Sequence, residues 1–301
     1  MNDRVYHSKW LDLAKEKNLS IDNDLTIFYQ VIGDGAETLV LVNGLGGRLY
    51  SWEPILDVFA DRYKIITWDY RGIFNSGSPQ RMRELSIPHH VQDLKSILAA
   101  ESVKEATLIG WSMGVQVSLE MAALYPEIVS KLVLINGTYG QALSAAFQPL
   151  FRISGLNRFF NFFIDTLRGR DEYMDAVVKL MNTPILIKLM GRLMSVAREN
   201  PKIPDAIGQY AADVFGPSFP NYLRLFQELD SHSVYHLLPE IKQPTLIISG
   251  GLDVMTPPYQ SYEMAAKIRG SQHEHFPLGT HFALLEYPEK IPQLIKDFLL
   301  T

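Results

Sequence analysis

No cysteine occurs among the 301 residues, which excludes a disulfide framework, a thiol nucleophile and any cysteine-based zinc or iron–sulfur site. That absence fits a cytoplasmic protein, the location we expect. An excess of positive charge is missing too. With 28 Lys and Arg against 33 Asp and Glu, the formal charge is −5, so nothing suggests a basic surface for gripping phosphates and nucleic acid is not an expected partner. Long apolar runs are also lacking. Met1 to Trp10 contains no stretch resembling a secretory signal. Lys188 and Arg192 interrupt the most apolar region before the roughly 20 residues that a transmembrane segment requires. What remains, 47% hydrophobic and 20% charged residues, is the composition of a folded globular protein of one large domain with an insertion.

Short apolar runs, at Thr38 to Val42, Ile65 to Trp68, Ala106 to Ile109, Lys131 to Ile135 and Thr245 to Ser249, read as strands buried on both faces, as in parallel sheets. Between them Ser51 to Asp61, Ile87 to Ala100 and Met113 to Tyr125 carry helical periodicity, and the alternation gives the class α/β. Ahead of it, residues 8 to 18 predict a short N-terminal helix. Leu19 to Asp22 and Leu25 to Ile32 predict an antiparallel sheet edge, with Gly33-Asp34-Gly35 as a hairpin turn. Thr256-Pro257-Pro258 reads as a helix start with Thr256 as N-cap, and Pro288 to Leu300 as a closing helix. From about Gly140 to Tyr235 the alternation stops and only helical patterning is found, which predicts an inserted helical cap. That segment holds Phe147, Phe151, Phe159, Phe160, Phe162, Phe163, Phe215, Phe219 and Phe226, nine of the 15 Phe, together with Met174, Met181, Met190 and Met194. Most of these suit a cap core; the others suit a pocket for an apolar substrate tail. Residues 141–200 carry 8 Lys and Arg against 5 Asp and Glu, so the cap is locally positive, and contact with an anionic lipid surface is a reading beside that of a solvated face.

The chemistry centres on Gly110-Trp111-Ser112-Met113-Gly114, a G-x-S-x-G run between a strand and a helix, where a sharp turn lifts the serine hydroxyl clear of the sheet. Serine becomes a competent nucleophile only when an imidazole takes its proton and a carboxylate orients that imidazole. His281, in a loop after the last expected strand, is the expected base, ahead of His273 and His275 within that strand and His89, His90, His232 and His236 on helical segments. Asp253, reached through Gly250-Gly251-Leu252 at the end of a parallel strand, is the expected acid. The preceding strand ends in Asn136-Gly137, which supplies no charge. Asn43-Gly44-Leu45-Gly46-Gly47 follows the first parallel strand as a glycine-rich loop. Its Leu45 N–H, with that of Met113, is the expected oxyanion hole, and Asn43, Gly44 and Gly46 are its expected support. No dinucleotide fingerprint or phosphate-loop lysine accompanies that loop.

In this order the segments resemble the α/β-hydrolase superfamily. The resemblance runs from about residue 20 to 300 outside the insertion. The loop at Asn43 resembles the family's His-Gly oxyanion loop and Asp69-Tyr70-Arg71-Gly72-Ile73-Phe74-Asn75-Ser76-Gly77 its Asp-x-Arg-Gly segment, followed by the elbow at Ser112 and the loops of Asp253 and His281. Asn43, where many members have His, resembles the Asn-Gly form of enol-lactonases and intracellular polyhydroxyalkanoate depolymerase-like proteins. A serine at 112 differs from the Asp of haloalkane dehalogenases and epoxide hydrolases. The resemblance implies a mostly parallel eight-stranded sheet with helices on both faces. Its core would be residues 19–139 and 236–301, its cap 140–235, with an N-terminal extension over 1–18. It implies a serine hydrolase of a small-molecule carboxylic ester, needing no cofactor or metal, and the Phe- and Met-rich insertion adds the expectation of an apolar acyl chain. C–C bond hydrolysis, enol-lactone hydrolysis or hydroxyacyl transfer on the same triad is the alternative. A non-catalytic ligand-binding module on the same fold is the reading from another class.

Overall fold

The computed structural model describes residues 8–21, 25–145, 162, 166, 171–194 and 202–300. One sheet contains β1 (Lys15–Ile21), β2 (Leu25–Ile32), β3 (Thr38–Val42), β4 (Lys64–Trp68), β5 (Ala106–Trp111), β6 (Val129–Ile135), β7 (Thr245–Gly250) and β8 (Gln272–Phe276). Their spatial order is β1-β2-β4-β3-β5-β6-β7-β8. β2 is antiparallel to both β1 and β4, and β3 to β8 run parallel. The helices are α1 (Lys9–Leu13), α2 (Glu53–Phe59), α3 (Ile87–Ala100), α4 (Met113–Leu124), α5 (Ala142–Ala145), α6 (Asp171–Met181), α7 (Pro184–Leu193), α8 (Lys202–Val214), α9 (Phe219–Ser231), α10 (Pro258–Lys267), α11 (Ala283–Glu286) and α12 (Lys290–Leu299).

The continuous apolar runs are explained by helices on both faces of the sheet. In β3, Leu39 and Leu41 point into one core with Leu56 and Phe59 of α2 and Ile291 and Ile295 of α12. Val40 and Val42 point the other way, against Leu94 and Ile97 of α3 and Val117 and Met121 of α4. Alternation along one strand thus fills two cores, so neither side of the sheet can be polar. Helices α5 to α9 lie between β6 and β7, where the alternation in sequence breaks. Gly140 and Ser233 form an antiparallel bridge, so this helical insertion leaves and rejoins the sheet at one point. In α9, Phe219, Tyr222, Leu225 and Leu229 are buried, a stripe at helical spacing. Phe147, Phe151, Phe159, Phe160 and Phe163 lie outside the described residues. Among those described, no helix is long and apolar enough to cross a membrane.

Three local expectations need correction. The helix expected over residues 8–18 ends at Leu13, and Lys15–Ile21 is a strand. Its charges fit an exposed edge strand as well as a helix, and pairing with Leu25–Val31 of β2 satisfies the inner edge of its backbone. Gly33 to Gly35 does not form a hairpin turn, because β2 pairs with β1 and β4 rather than with β3. The two glycines instead admit close approach of the Arg62 and Tyr63 carbonyl oxygens. Thr256 is not a helix cap: α10 begins at Pro258 with Pro257 in the capping position, and Thr256 is committed elsewhere.

Candidate active site

The turn after β5 places Ser112 at φ +56° and ψ −117°, left-handed backbone that a residue other than glycine adopts at a cost of about 1–3 kcal/mol. The flanking glycines permit it by close approach. A Cβ on Gly114 would lie 2.0 Å from the Val42 carbonyl oxygen, and one on Gly110 would lie 2.6 Å from that of Gly114. The strained serine stands at the head of α4, and Met113, the first residue of that helix, has an N–H without an intrahelical acceptor.

The structure brings Ser112, His281 and Asp253 together from three loops at one end of the sheet. His281 Nε2 lies 3.0 Å from Ser112 Oγ, and His281 Nδ1 lies 2.9 Å from Asp253 Oδ2. All three residues are buried. Asp253 accepts from every side. Its Oδ1 takes the N–H groups of Met255 and Thr256 at 2.9 and 2.8 Å. Its Oδ2 takes the Asn136 amide at 2.8 Å and the Thr256 hydroxyl at 2.7 Å, besides the imidazole. Burial alone would raise this carboxyl. The adjacent His281 and the bonds from Thr256 and Asn136 outweigh it and hold Asp253 below the usual carboxylate range. An ionised Asp253 fixes the proton of His281 on Nδ1 and leaves Nε2 free to accept from Ser112.

The Asn43–Gly47 loop lies against this group. A Cβ on Gly44 would be 3.1 Å from that of Ser112, and those on Gly44 and Gly47 would each be 2.9 Å from the Trp111 indole, so the loop rests on the residue that precedes the serine. Trp111 Nε1 also donates to the His281 carbonyl at 3.0 Å. Asn43 serves as a brace: its amide donates to Trp68 O at 2.7 Å and to Thr67 Oγ1 at 3.1 Å, and its oxygen accepts from Trp52 Nε1 at 2.7 Å. The Tyr70 hydroxyl donates to Asn43 O at 2.6 Å. The Tyr70 ring packs on His90 of α3 with centroids 4.5 Å apart, and its neighbour Arg71 donates twice to the buried Asp93 of the same helix at 2.8 and 2.5 Å. The Asp69–Gly77 segment therefore acts on the site through the Asn43 loop.

Beyond Ser112 a cavity of 350 Å³ opens under the insertion, lined by Leu45 and Ser112 and by Met190, Met194, Tyr210, Phe215, Phe219, Phe226 and Leu229 among others, none of them charged. Five of the sequence's cap Phe and Met residues thus reach the site, whereas Met174 is packed into the core. Among the described residues no group of three or more His, Asp or Glu is placed to hold a metal ion.

The sequence profile of the alpha/beta hydrolase fold matches residues 37–288, most of the chain. The chain belongs to the alpha/beta-hydrolase family. A 2-hydroxy-6-oxononadienedioate/2-hydroxy-6-oxononatrienedioate hydrolase of Paraburkholderia phymatum is 27% identical over 99% of both chains. Serine hydrolase BPHL of Mus musculus is 24% identical over 92% of this chain and 84% of its own. Among solved structures, the enol-lactonase of Burkholderia xenovorans LB400 matches with a TM-score of 0.69 at 20% identity, covering 95% of this chain and 100% of that one.

In this alpha/beta hydrolase, sequence reasoning missed three residues at the site. Asn136 was set aside as uncharged, yet its amide bridges Asp253 and the Thr280 carbonyl at 2.9 Å. Its φ of +44° is one that Asn tolerates better than most residues, so the Asn-Gly pair after β6 carried a signal. Thr256 reads in the sequence as a helix cap, whereas its hydroxyl donates to Asp253. Tyr210 had no signal, because nothing in the pattern of α8 shows which residue faces the site.

Proposed function

We propose that the chain is a serine hydrolase of carboxylic esters with an apolar acyl chain, acting through an acyl-enzyme. The observation that carries this reading is the Ser112–His281–Asp253 relay at the mouth of a cavity whose described lining is apolar. His281 Nε2 takes the proton of Ser112 Oγ as that oxygen attacks the ester carbonyl. The N–H groups of Leu45 and Met113 receive the tetrahedral oxyanion. Collapse expels the alcohol, which takes the proton from Nε2, and water repeats the sequence to release the acid. Asn43, Gly44 and Gly46 shape the loop that presents Leu45.

The test is intact-protein mass after treatment with a fluorophosphonate, followed by turnover of p-nitrophenyl esters from acetate to decanoate. One adduct is expected, absent in Ser112→Ala and His281→Ala, and Ser112→Ala should lower kcat by about 10⁵ or more. A lack of adduct on the folded protein would overturn the reading in favour of a ligand-binding protein on the same fold. A steep preference for acetate would remove the apolar chain from it.

The full-length similarity to the Paraburkholderia dienedioate hydrolase favours a second reading, hydrolysis of a 2-hydroxy-6-oxo-dienedioate on the same three residues. Among the described residues the cavity lining carries no charge, which supports the ester instead, because burying a second carboxylate against that lining without a partner is costly. Comparing kcat/KM on the dienedioate and on p-nitrophenyl hexanoate separates the two.

A further inference from the structure

The Asn43–Gly47 loop touches the insertion as well as the sheet. Gly47 N–H bonds to Gly44 O at 2.9 Å, and Gly46 sits at φ +94°. An i to i+3 bond with positive φ at the third position is the pattern of a type II turn, whose central peptide here is Leu45–Gly46. A 180° flip of that peptide would convert it to type I, a form open to glycine as well. The orientation is set from α8. The Tyr210 hydroxyl donates to Leu45 O at 2.6 Å across 165 residues of sequence, and its ring and Val214 fill the space where a Cβ on Gly46 would stand. Slightly further along, the Tyr50 hydroxyl donates to Asp213 at 2.9 Å. Tyr210, Asp213 and Val214, near the C-terminal end of α8, thus strap it to the segment after β3.

Tyr210 also touches the other parts of the site. Its ring is edge-on to Phe282, the residue after His281, with centroids 5.4 Å apart, and lies 5.8 Å from the indole of Trp111, the residue before Ser112. It lines the cavity as well. One side chain from the insertion therefore borders the oxyanion loop, the nucleophile turn, the histidine loop and the space beside Ser112.

We propose that Tyr210 is a positioning residue for acyl transfer: its hydroxyl locks the central peptide of the Gly44–Gly47 turn and so fixes the loop that presents the Leu45 N–H. The sheet end of the loop is braced by Asn43 and Tyr70, while its tip depends on Tyr210. The insertion then sets the oxyanion site as well as the cavity wall. This inference rests on the acyl-enzyme reading above.

The test compares the wild-type chain with Tyr210→Phe, which keeps the ring and loses only the donor. The readouts are kcat and KM on p-nitrophenyl hexanoate, the second-order rate of fluorophosphonate labelling, and thermal melting. We expect kcat to fall about tenfold or more with KM within twofold, since small misplacements of a catalytic group cost up to about a hundredfold. Labelling should slow by a similar factor, because the phosphonyl oxygen uses the same donors. Tyr210→4-aminophenylalanine, which restores a para N–H donor, should recover most of the rate. If Tyr210→Phe does not fold, 4-aminophenylalanine against 4-methylphenylalanine at 210 reads the same difference. Unchanged kcat and labelling in a labelled wild type would overturn the role of Tyr210 and leave the acyl-enzyme reading standing, as would a change confined to KM. A wild type that is not labelled would overturn that reading, and this inference with it.

Discussion

At one end of the site the Asp253 carboxylate is ringed by hydrogen-bond donors, whereas on the far side of Ser112 the wall is Met, Phe, Leu, Val and the rings of Tyr210 and Tyr222. The two ends are built from different parts of the chain. The polar end comes from loops that leave adjacent parallel strands, with β6 supplying Asn136, β7 leading to Asp253 and β8 leading to His281. The apolar end comes from the helices between β6 and β7. A buried carboxylate tolerates few arrangements, because each missing donor leaves an oxygen unsatisfied at a cost of about 1–3 kcal/mol. An apolar wall accepts many packings of similar volume. The polar end should therefore respond sharply to small chemical changes and the apolar end gradually to changes of size.

Among the substitutions that probe this contrast, Asp253→Asn should have the largest effect. The amide keeps the shape of the carboxylate but turns an NH₂ toward the amide of Asn136 or toward the N–H groups of Met255 and Thr256, placing donor against donor. It also no longer holds the His281 proton on Nδ1. We expect kcat on a p-nitrophenyl ester to fall by about 10⁴. A loss of less than tenfold would show that the donor-rich surroundings orient His281 without the charge, and the contrast between the two ends would fail.

An effect of intermediate size should mark the other end. Ala211 is buried and lines the cavity, so Ala211→Phe fills part of the 350 Å³ without altering charge or hydrogen bonding. The ratio of kcat/KM for decanoate to that for acetate should drop about tenfold, the scale of losing one or two buried methylenes from a hydrophobic site. An unchanged ratio would place the acyl chain elsewhere and sharpen the question of what the Phe- and Met-rich wall binds.

The same division explains what was legible in the sequence. Gly110 and Gly114 stand out because no side chain fits where the elbow meets Val42, and the positions of Ser112 and Asp253 follow from strand ends that the apolar runs mark, whereas His281 follows the polar strand Gln272–Phe276. The Asp-x-Arg-Gly segment was visible, but its route to the site, through Tyr70 and Asn43, requires contacts that no local pattern encodes. Thr256 was misread because Thr-Pro-Pro is an equally good helix start, and only the fold brings its hydroxyl to Asp253. Lys15 to Asn18 was misread because an edge strand that is exposed throughout these four residues has no apolar alternation to announce it. In the insertion, periodicity identified helices but not which face of α8 meets the Asn43 loop, so Tyr210 could not be found.

The smallest expected effect lies at the point where the two regions join. His232, just past α9 and beside the Gly140–Ser233 bridge, sits with Nε2 2.6 Å from the buried Glu120 of α4. The hydrogen bond that His232 donates to Glu120 raises the pKa of His232, burial opposes it, and the charges of Glu120 and of Glu228, one turn earlier on α9, add to the rise. A histidine whose folded pKa is raised contributes stability that is fully present below its unfolded value of about 6.5 and is lost as pH climbs through the folded one. Glu120→Gln removes the charge that sustains this. Its melting temperature should therefore fall below wild type by a few degrees at pH 6, and the gap should narrow toward pH 9 as His232 gives up its proton. An equal gap at the two pH values would mean that the root of the insertion is held by packing and neutral hydrogen bonds. The polar character of the site would then stop at the sheet and not extend into the helices that cover it.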